Sequence, residues 1–269
     1  MLGADFEALR RFLLQEAGIS LRDNQAYQVD RLKSLLEETE CRDVFALLYK
    51  AKKDRDVKQR IIELYTTNET SFFRDIKVFN FFRTDVFPRL IESRERTKQI
   101  RILSAASSSG QEAYSLAMIL YDHFPETRDW NIVIQGLDID NNMVQKAREG
   151  WYSQLEVNRG LATRLLFRHF KREGRGYSVK DYLKQMVRFS QGNLFEVEKG
   201  FVKYDIILCR NVLIYFTEED QQRLLVSLSK KLRYDGFFFL GASEIGRMIP
   251  QNHLEHHKKG NVVWYQVTS

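Results

Sequence analysis

A short loop between a predicted strand and a predicted helix has the composition of a ligand-binding turn. The segment SAASSSGQEAYS, from Ser104 to Ser115, consists largely of small residues that let a ligand approach the backbone, and its one acid is Glu112. Gly110 is its only glycine, so the GxGxxG fingerprint is absent and a hydride-transfer enzyme is disfavoured. A carboxylate at the start of the helix repels a pyrophosphate and suits a cationic amine. The alternative is that the serines only cap the helix.

Two acids follow the second predicted strand, in the sequence LDID. In a nucleotide-binding βαβ unit, an acid at this position accepts the hydrogen bonds of a ribose, and Asp138 comes first. We assign Asp140 to the cap of the next helix, because capping explains one acid but not two. Ribose recognition without pyrophosphate binding indicates a nucleoside that carries a cation, and S-adenosylmethionine fits that description.

A third apolar strand also ends in polar residues. It begins the segment YDIILCRNVLIYF, which supplies Arg210, Asn211 and Tyr215 at the carboxyl end of the strand, where polar residues usually line a site in this fold. Asn211 has the alternative role of capping the next turn. Many amino-directed nucleic-acid methyltransferases have a Pro-Pro-aromatic motif here, and this segment contains no proline.

Alternating strands and helices position these residues. From Ile100 onward, strands such as RILSAAS and NIVIQGLDID are separated by helices of about 10 to 15 residues, which indicates a doubly wound parallel sheet with NVVWYQV as an antiparallel edge strand. Upstream, apolar residues recur at helical spacing. We therefore predict a helical domain over residues 1–80, ending in the linker NETSFFRD (Asn68–Asp75), and an α/β domain over residues 81–269.

The net positive charge is concentrated in one segment. The chain of 269 residues has a formal charge of +6, and residues 151–190 contain nine bases against three acids while the rest is balanced. This segment interrupts the strand and helix rhythm with a helix and a hairpin strand, GYSV, so we predict an inserted basic β-subdomain. A local positive field favours an acidic partner, although a solvated helix face would have the same composition.

Composition and local spacing disfavour several other classes. The 43% hydrophobic content supports a core, and no apolar run approaches the about 20 residues of a membrane span. The first residues, MLGADFEALRR, do not resemble a secretory signal, so a cytoplasmic location without membrane insertion is expected. Cys41 and Cys209 lack the spacing of a disulfide framework or a zinc site. The histidines of HLEHHKK (His253, His256 and His257) lack the partners of a metal site, so we predict a surface tail and no metal.

Six motifs occur in a fixed order along the chain: NETSFFRD, SAASSSGQEAYSLAMIL, LDID, GNL, CRNVLIYF and GFFFLGASE. Together they resemble the chemotaxis receptor glutamate O-methyltransferase (CheR) family over nearly the whole chain. The resemblance implies a Rossmann-like class I methyltransferase fold, an α/β doubly wound sheet with a small β-subdomain insertion, preceded by an all-α N-terminal domain. It also implies methyl transfer from S-adenosyl-L-methionine to glutamate side chains on chemoreceptor helices, giving S-adenosyl-L-homocysteine and the glutamyl methyl esters of chemotactic adaptation.

The resemblance implies that cofactor contacts come from two parts of the chain. By similarity, the cofactor-binding residues are Asn68, Thr70 and Arg74 in the linker and Glu112, Asp138, Asn193, Leu194, Arg210 and Asn211 around the sheet. Leu194 would lie against the adenine ring, and Glu112 would face the methionine end. Phe72 and Phe73 are expected to pack between the domains rather than stack on adenine.

Catalysis by such a site needs no general base. A glutamate carboxylate is already ionised at neutral pH and can attack the sulfonium methyl group directly, so orientation and desolvation are expected to carry the rate. We predict that Arg74 and Tyr215 are the catalytic residues and hold the substrate carboxylate or the methionine end. The alternative for Tyr215 is a core aromatic with a solvated hydroxyl.

Three positions near the first turn depart from the family pattern. Gln111 stands where an acid is usual, Ala113 where a proline is usual and Ser109 where a threonine is usual, while Glu112 is kept. These departures leave open a non-catalytic module that binds the cofactor and signals to a partner. The motifs are also compatible with a methyltransferase that acts on a different protein carboxylate. The basic segment is compatible with a nucleic-acid methyltransferase, although the absence of interleaved aromatics disfavours that class.

Partner binding is expected to use the basic segment. The second predicted helix is often strongly basic in the family, whereas here it has only Arg31 and Lys33 beside an acidic run. We therefore predict docking of chemoreceptor helices through residues 151–190. The loop KREGRGYSV is short, which predicts no tether to a receptor C-terminal pentapeptide. We further expect a monomer that binds no nucleic acid.

Overall fold

The N-terminal part of the molecule is helical, as predicted. The computed structural model describes residues 2–21, 24–200, 202–246 and 254–267. Its first five helices are α1 (Leu2–Ala17), α2 (Gln25–Asp30), α3 (Lys33–Glu38), α4 (Val44–Ala51) and α5 (Arg55–Tyr65). Their apolar faces meet in a core of their own, in which Leu9, Leu47 and Ile61 are fully buried. Asp43 and Asp54 start α4 and α5 by accepting hydrogen bonds from backbone N–H groups of the first turn.

A helical run with a π turn in its middle leads into the sheet. It consists of α6 (Ile76–Phe81), a π-helical turn over Phe82–Val86 and α7 (Phe87–Arg94). The sequence predicts one unbroken helix here. The π turn ends two residues before Pro88, which has no backbone N–H for the α-helical pattern.

The main sheet has seven strands in the order β6-β2-β1-β7-β8-β10-β9. The strands are β1 (Gln99–Ala105), β2 (Asn131–Asp138), β6 (Val187–Gln191), β7 (Tyr204–Cys209), β8 (Leu232–Leu240), β9 (Leu254–Lys259) and β10 (Val262–Val267). The helices that connect the parallel strands are α8 (Gln111–His123), α9 (Asn141–Glu149) and α13 (Glu218–Ser229). The first five strands in this order pair in parallel, and β10 pairs antiparallel with β8 on one side and with β9 on the other. The predicted doubly wound sheet is therefore confirmed.

Both faces of this sheet are covered, which explains its continuous apolar strands. In β7, Ile206 and Leu208 belong to one buried cluster, whereas Ile207 and Cys209 belong to a second cluster on the opposite face. Successive side chains of a strand point to opposite faces, so a strand covered on both sides must be apolar throughout. This alternation places the connecting helices on both faces of the sheet.

The C-terminal edge of the sheet differs from the prediction. NVVWYQV forms β10, which is antiparallel as expected, but HLEHHKK is not a surface tail. Within it β9 pairs with β10 and becomes the edge strand, while His253 lies outside the described residues. The ring of His257 stacks on Trp264 with 5.4 Å between the ring centroids. The charged residues that made this strand look like a tail are typical of an exposed edge, because they discourage pairing with other chains.

The basic segment contains a small second sheet. Its strands β3 (Trp151–Ser153), β4 (Phe170–Glu173) and β5 (Gly176–Val179) pair in the order β3-β5-β4, and all pairs are antiparallel. The helices of the segment are α10 (Gln154–Asn158), α11 (Thr163–His169) and α12 (Asp181–Lys184). The predicted GYSV strand is therefore present as β5, in a sheet of three strands. Among the described residues no helix is long and apolar enough to span a membrane.

Candidate active site

A cavity lies at the carboxyl ends of the central strands. Ala105, the last residue of β1, is in register with Leu137 in β2 and with Cys209 in β7, so the chain leaves all three strands at one edge. All the site residues predicted from sequence line this cavity: Asn68, Thr70, Arg74, Glu112, Asp138, Asn193, Leu194, Arg210, Asn211 and Tyr215. Ala17, Ile19 and Tyr65 of the helical region line it as well, which no sequence pattern indicated. The N-terminal region therefore contributes to the wall of the site.

The NETSFFRD linker closes one side of this cavity. The side-chain amide of Asn68 donates to Asp140 at 2.7 Å, and the hydroxyl of Thr66 donates to the same carboxylate oxygen at 2.8 Å. Ser108 in turn donates its hydroxyl to the carbonyl of Asn68 at 2.9 Å. The linker is thus fastened to the edge of the sheet through Asp140, which also caps α9 as predicted. We call residues 66–75 the strap.

The two phenylalanines of the strap do not line the cavity, but they pack into the core of the sheet and the inserted segment rather than between the two predicted domains. Phe72 is fully buried and meets Tyr152 of β3 edge-on, with 5.0 Å between the ring centroids. A side chain at Gly160 would place its Cβ 2.0 Å from the carbonyl oxygen of Phe72, so a glycine is required for this close approach. Phe73 packs edge-on against Phe79. These contacts hold the strap between the sheet and the inserted segment.

Asp138 is buried at the centre of the site. Its carboxylate accepts the backbone N–H of Ser108 at 2.7 Å and that of Asp140 at 2.9 Å. Burial raises the pKa of Asp138 to about 6, against the opposing effect of these hydrogen bonds. No cation pairs with this carboxylate among the described residues. The remaining lone pairs are suited to hydrogen-bond donors such as ribose hydroxyls.

The loop after β1 is strained where it borders the cavity. Ala106 and Ser108 have φ values of 54° and 48°, which residues other than glycine rarely adopt. Ser107, between them, is buried, and its hydroxyl has no partner in the described structure. Strain and unsatisfied polar groups of this kind gather at ligand sites.

Glu112 and Arg210 are paired with each other. Arg210 donates from Nη1 to Glu112 at 2.8 Å and from Nη2 to Asp75 and to the carbonyl of Arg74. Glu112 also accepts the hydroxyl of Ser104 at 2.7 Å. The Arg210 side chain is only 2% exposed, and its Nε has no partner among the described residues. Arg210 therefore links the end of β7 to both the strap and α8.

Arg74 and Tyr215 are the polar side chains least committed to the protein. Arg74 donates to the carbonyl of Glu69 at 3.0 Å, and no described carboxylate pairs with it. Tyr215 lies in a 3-10 turn over Leu213–Tyr215 and is half-buried, and the described residues offer its hydroxyl no hydrogen bond. Both side chains are thus free to bind a carboxylate.

Asn193 and Leu194 connect the site to the helical region. The Asn193 side chain caps the 3-10 turn that begins at Leu194 and donates to the carbonyl of Glu16 at 3.0 Å. Leu194 is buried in the cluster on one face of the sheet and borders the cavity. An apolar side chain at this place offers a surface for a planar base.

A buried carboxylate that the sequence did not single out supports the wall of the site. Glu244 is fully buried and accepts four backbone N–H groups at 2.8 Å each, from Asn211, Val212, Leu213 and Gly241. Asn211 itself has a φ of 59° and needs this support. The signal available in the sequence was an acid shortly after a strand end, in GFFFLGASE.

The three departures from the family pattern do not line the cavity. Ala113 is fully buried within α8, and the side chain of Gln111 accepts the hydroxyl of Ser109 at 2.9 Å. They therefore leave the wall of the cavity unchanged. No group of three or more His, Cys, Asp or Glu residues that could hold a metal ion is found in the described part of the chain.

Two uncommitted charges of opposite sign define what the cavity fits. Of the charged residues that line it, Glu112 pairs with Arg210 and Glu69 pairs with Arg159, which leaves Asp138 and Arg74 without ion pairs in the described structure. A ligand with hydroxyl donors matches Asp138, and Arg74 is open to a carboxylate of the cofactor or of a substrate. S-adenosylmethionine has a ribose diol that suits Asp138.

Comparison with known proteins gives the family. The family model for the CheR methyltransferase, SAM binding domain, matches residues 68–262. Chemotaxis protein methyltransferase 1 of Pseudomonas aeruginosa is 35% identical over 93% of this chain and 93% of its own length. Chemotaxis protein methyltransferase Cher2 of Pseudomonas putida is 33% identical over the same shares, and the chemotaxis protein methyltransferase of Borreliella burgdorferi is 31% identical over 89% and 87%.

Similarity to solved structures is lower. Magnesium protoporphyrin IX methyltransferase of Synechocystis PCC 6803, solved with bound SAM, is 16% identical over 80% of this chain and 91% of that chain, with a TM-score of 0.38. The family assignment comes from the sequence matches, which span the strap, the sheet and the small β-sheet. The chain belongs to the CheR methyltransferase family, with a class I methyltransferase fold and S-adenosylmethionine as its cofactor.

Proposed function

We propose that this protein transfers the methyl group of S-adenosylmethionine to glutamate side chains on chemoreceptor helices, forming glutamyl methyl esters in chemotactic adaptation. The names of its relatives support a role in chemotaxis. The observation that carries the choice of a carboxylate substrate is Arg74, which lines the cavity without a described carboxylate partner, together with the free hydroxyl of Tyr215. An arginine and a phenol are suited to orient an anionic nucleophile.

The reaction is an in-line displacement. A carboxylate oxygen of the substrate forms a bond to the methyl carbon, the carbon–sulfur bond breaks, and its electron pair returns to sulfur in S-adenosylhomocysteine. No proton moves, so no general base is required. In agreement with this chemistry, no histidine is found among the described residues that line the cavity.

Each side chain then has a defined task. Asp138 accepts hydrogen bonds from the ribose, Leu194 packs on adenine, and Glu112 faces the amino group at the methionine end. Arg74 and Tyr215 orient the substrate carboxylate and replace part of its hydration shell. Two strong cations on the substrate carboxylate would lower its nucleophilicity. Arg210 pairs with Glu112 and Asp75, so Arg74 is the one arginine of the described cavity wall without a carboxylate partner.

The remaining proposals concern organisation. We place the boundary between the helical domain and the methyltransferase domain at residue 80, with residues 151–190 as the inserted β-subdomain. The protein acts in the cytoplasm as a monomer, without a pentapeptide tether. The short turn between β4 and β5, at Gly174, supports the last point.

A methyl-transfer assay tests the proposed function. Tritiated S-adenosylmethionine is incubated with the protein and a cytoplasmic chemoreceptor fragment, and the labelled product is then treated with alkali. We expect labelling of the receptor and release of methanol, because alkali hydrolyses esters and leaves methylated bases intact. Binding of the cofactor without any transfer would favour a non-catalytic module, and alkali-labile label on another protein would favour a different carboxylate substrate. Alkali-stable label on nucleic acid would overturn the proposal.

A further inference from the structure

A second cavity lies beside the strap, outside the active site. Its walls come from α6 and the π turn, from α8, and from the loop and helix that precede β4. Its apolar lining consists mainly of Phe73, Ile76, Phe79, Met118, Ile119 and Leu165. We call this cavity the flank groove. Ile76 is 55% exposed, which is unusual for an isoleucine and leaves the groove open to a partner.

The rim of the flank groove is positively charged. Arg83 of the π turn and Arg164 of α11 line it from different elements, and no described carboxylate pairs with either of them. Burial lowers the pKa of His123, which also lines the groove, and the charges of both arginines lower it further. Asp122 does not neutralise this rim, because it pairs with Arg168 at 2.9 Å and with His169 at 3.0 Å.

We propose that the flank groove binds an acidic amphipathic helix of the protein substrate. The inference rests on the proposed function and adds a docking surface to it. An apolar floor between two unpaired arginines is complementary to a helix with an apolar stripe flanked by glutamates. Phe167 is 75% exposed and follows Arg164 by three residues on α11, so it lies on the same side of that helix and adds apolar surface beside Arg164.

The position of the groove relative to the active site supports this assignment. Phe73 lines the flank groove and the next residue, Arg74, lines the catalytic cavity. A helix seated in the groove therefore passes close to Arg74, which we propose orients the reacting carboxylate. Because consecutive residues of the strap line the two sites, docking and reaction can involve neighbouring turns of one substrate helix.

Several bases of the basic segment, residues 151–190, already have partners within the protein, so few of its positive charges are left to bind another molecule. Arg159 pairs with Glu69, Arg168 with Asp122, and Lys184 donates to the carbonyl of Glu149. The two bases of the second predicted helix are also engaged within the protein: Lys33 pairs with Asp30, and Arg31 lies over the ring of Tyr65 at 4.8 Å. Of the bases in the basic segment without such a partner, Arg164 lines the groove, so the proposal assigns docking to Arg164 together with Arg83 and not to the exposed bases of β4.

Two charge-reversed double variants test the proposal. The groove variant is Arg83→Glu with Arg164→Glu. The matched control is Lys171→Glu with Arg172→Glu, which changes the net charge equally on the exposed strand β4, outside the groove. We expect the groove variant to lower kcat/KM for a receptor fragment by about tenfold or more, mainly through KM, and the control to lower it by less than about threefold. Affinity for S-adenosylmethionine, measured by calorimetry, should stay unchanged in both and shows that each variant is folded.

The apolar floor is tested separately. Ile76→Ser should raise KM for the receptor fragment several-fold, whereas Tyr234→Ser, a loss of similar exposed apolar surface elsewhere, should not.

Equal effects of the two charge-reversed variants would show diffuse attraction without a groove, and no effect of the groove variant would also overturn the inference. Binding of inorganic phosphate that depends on Arg83 and Arg164, with receptor kinetics unchanged, would make the groove a small-anion site instead. In each of these cases the wild-type protein still forms receptor esters, so the proposed function stands; absence of receptor labelling by the wild type would overturn both.

Discussion

The buried carboxylate of Glu244 offers a sharp test of how the wall of the active site is held. One of its oxygens accepts the N–H groups of Val212 and Leu213, and the other accepts those of Asn211 and Gly241, each at 2.8 Å. Glu244→Gln keeps the shape of the side chain and replaces one oxygen by an NH₂ group. That group must face two backbone N–H donors, whichever way the amide is turned.

The expected cost follows from this count. A buried donor left without an acceptor costs about 1–3 kcal/mol, so two donors set a scale of about 2–6 kcal/mol, of which relaxation of the loop recovers a part. We expect the free energy of unfolding to fall by about 2 kcal/mol or more. Relaxation moves the loop that carries Asn211 and Tyr215, so kcat should fall by about tenfold, which corresponds to about 1.4 kcal/mol of lost transition-state stabilisation.

Denaturant unfolding and single-turnover methyl transfer measure the two effects. Glu92→Gln is a matched control, since it makes the same chemical change on the exposed face of α7 and should leave both quantities unaltered. If Glu244→Gln unfolds within about 0.5 kcal/mol of the wild type and keeps its kcat, the loop does not depend on this carboxylate, and the argument from the four hydrogen bonds is wrong.

Three further predictions concern the cavity. Asp138→Asn should weaken S-adenosylmethionine binding by about 1–3 kcal/mol. The pKa of Asp138 is about 6 and its ionised form binds ribose, so wild-type affinity should fall about tenfold from pH 7 to pH 5, and an Asp138→Asn variant with the same pH dependence would remove the ribose role. Without ligand, the stability that Asp138 contributes to the fold is lost as the pH rises from about 4 through 6. Arg74→Ala and Tyr215→Phe should lower kcat for receptor fragments more than they lower cofactor affinity, and full activity of the first would make NETSFFRD a packing element only. Asp140→Ala should release the strap, so amide hydrogen exchange of residues 66–75 should accelerate and kcat for receptor fragments should fall more than cofactor affinity does; unchanged exchange would show that the strap is held without this carboxylate.

The fold was predictable wherever one local pattern determines an element. The strands of the sheet are buried on both faces, which produces apolar runs such as YDIILC, and acids that start helices, such as Asp140, mark the ends of loops. The edge strand β9 was missed because it is exposed and charged, so its sequence contains no alternation and its pairing depends on β10 alone. The π turn was missed because the helical pattern continues through it without a change of period.

The composition of the site was predictable, but its internal pairing was not. Residues that follow strand ends must lie at one edge of a parallel sheet, which is why Asp138 and Arg210 were found from their positions. No local sequence pattern predicts that Arg210 pairs with Glu112 and Asp75, because these residues are far apart in sequence and come together only in the folded chain. Glu244 was missed for the same reason, since three of its four partners are backbone groups of a loop more than thirty residues upstream.

The strap explains why the helical region and the sheet act as one site. A cavity built from the sheet alone would have Asp138 and Leu194 for the nucleoside but no uncommitted arginine, because Arg210 is held by Glu112 and Asp75. Arg74 reaches the cavity from the strap, and the strap is positioned by Asp140 on one side and by the packing of Phe72 on the other. A change that loosens either attachment therefore displaces Arg74 without touching the nucleoside end. Loss of turnover with retained nucleoside binding is the consequence, and it separates the strap from the sheet in experiment.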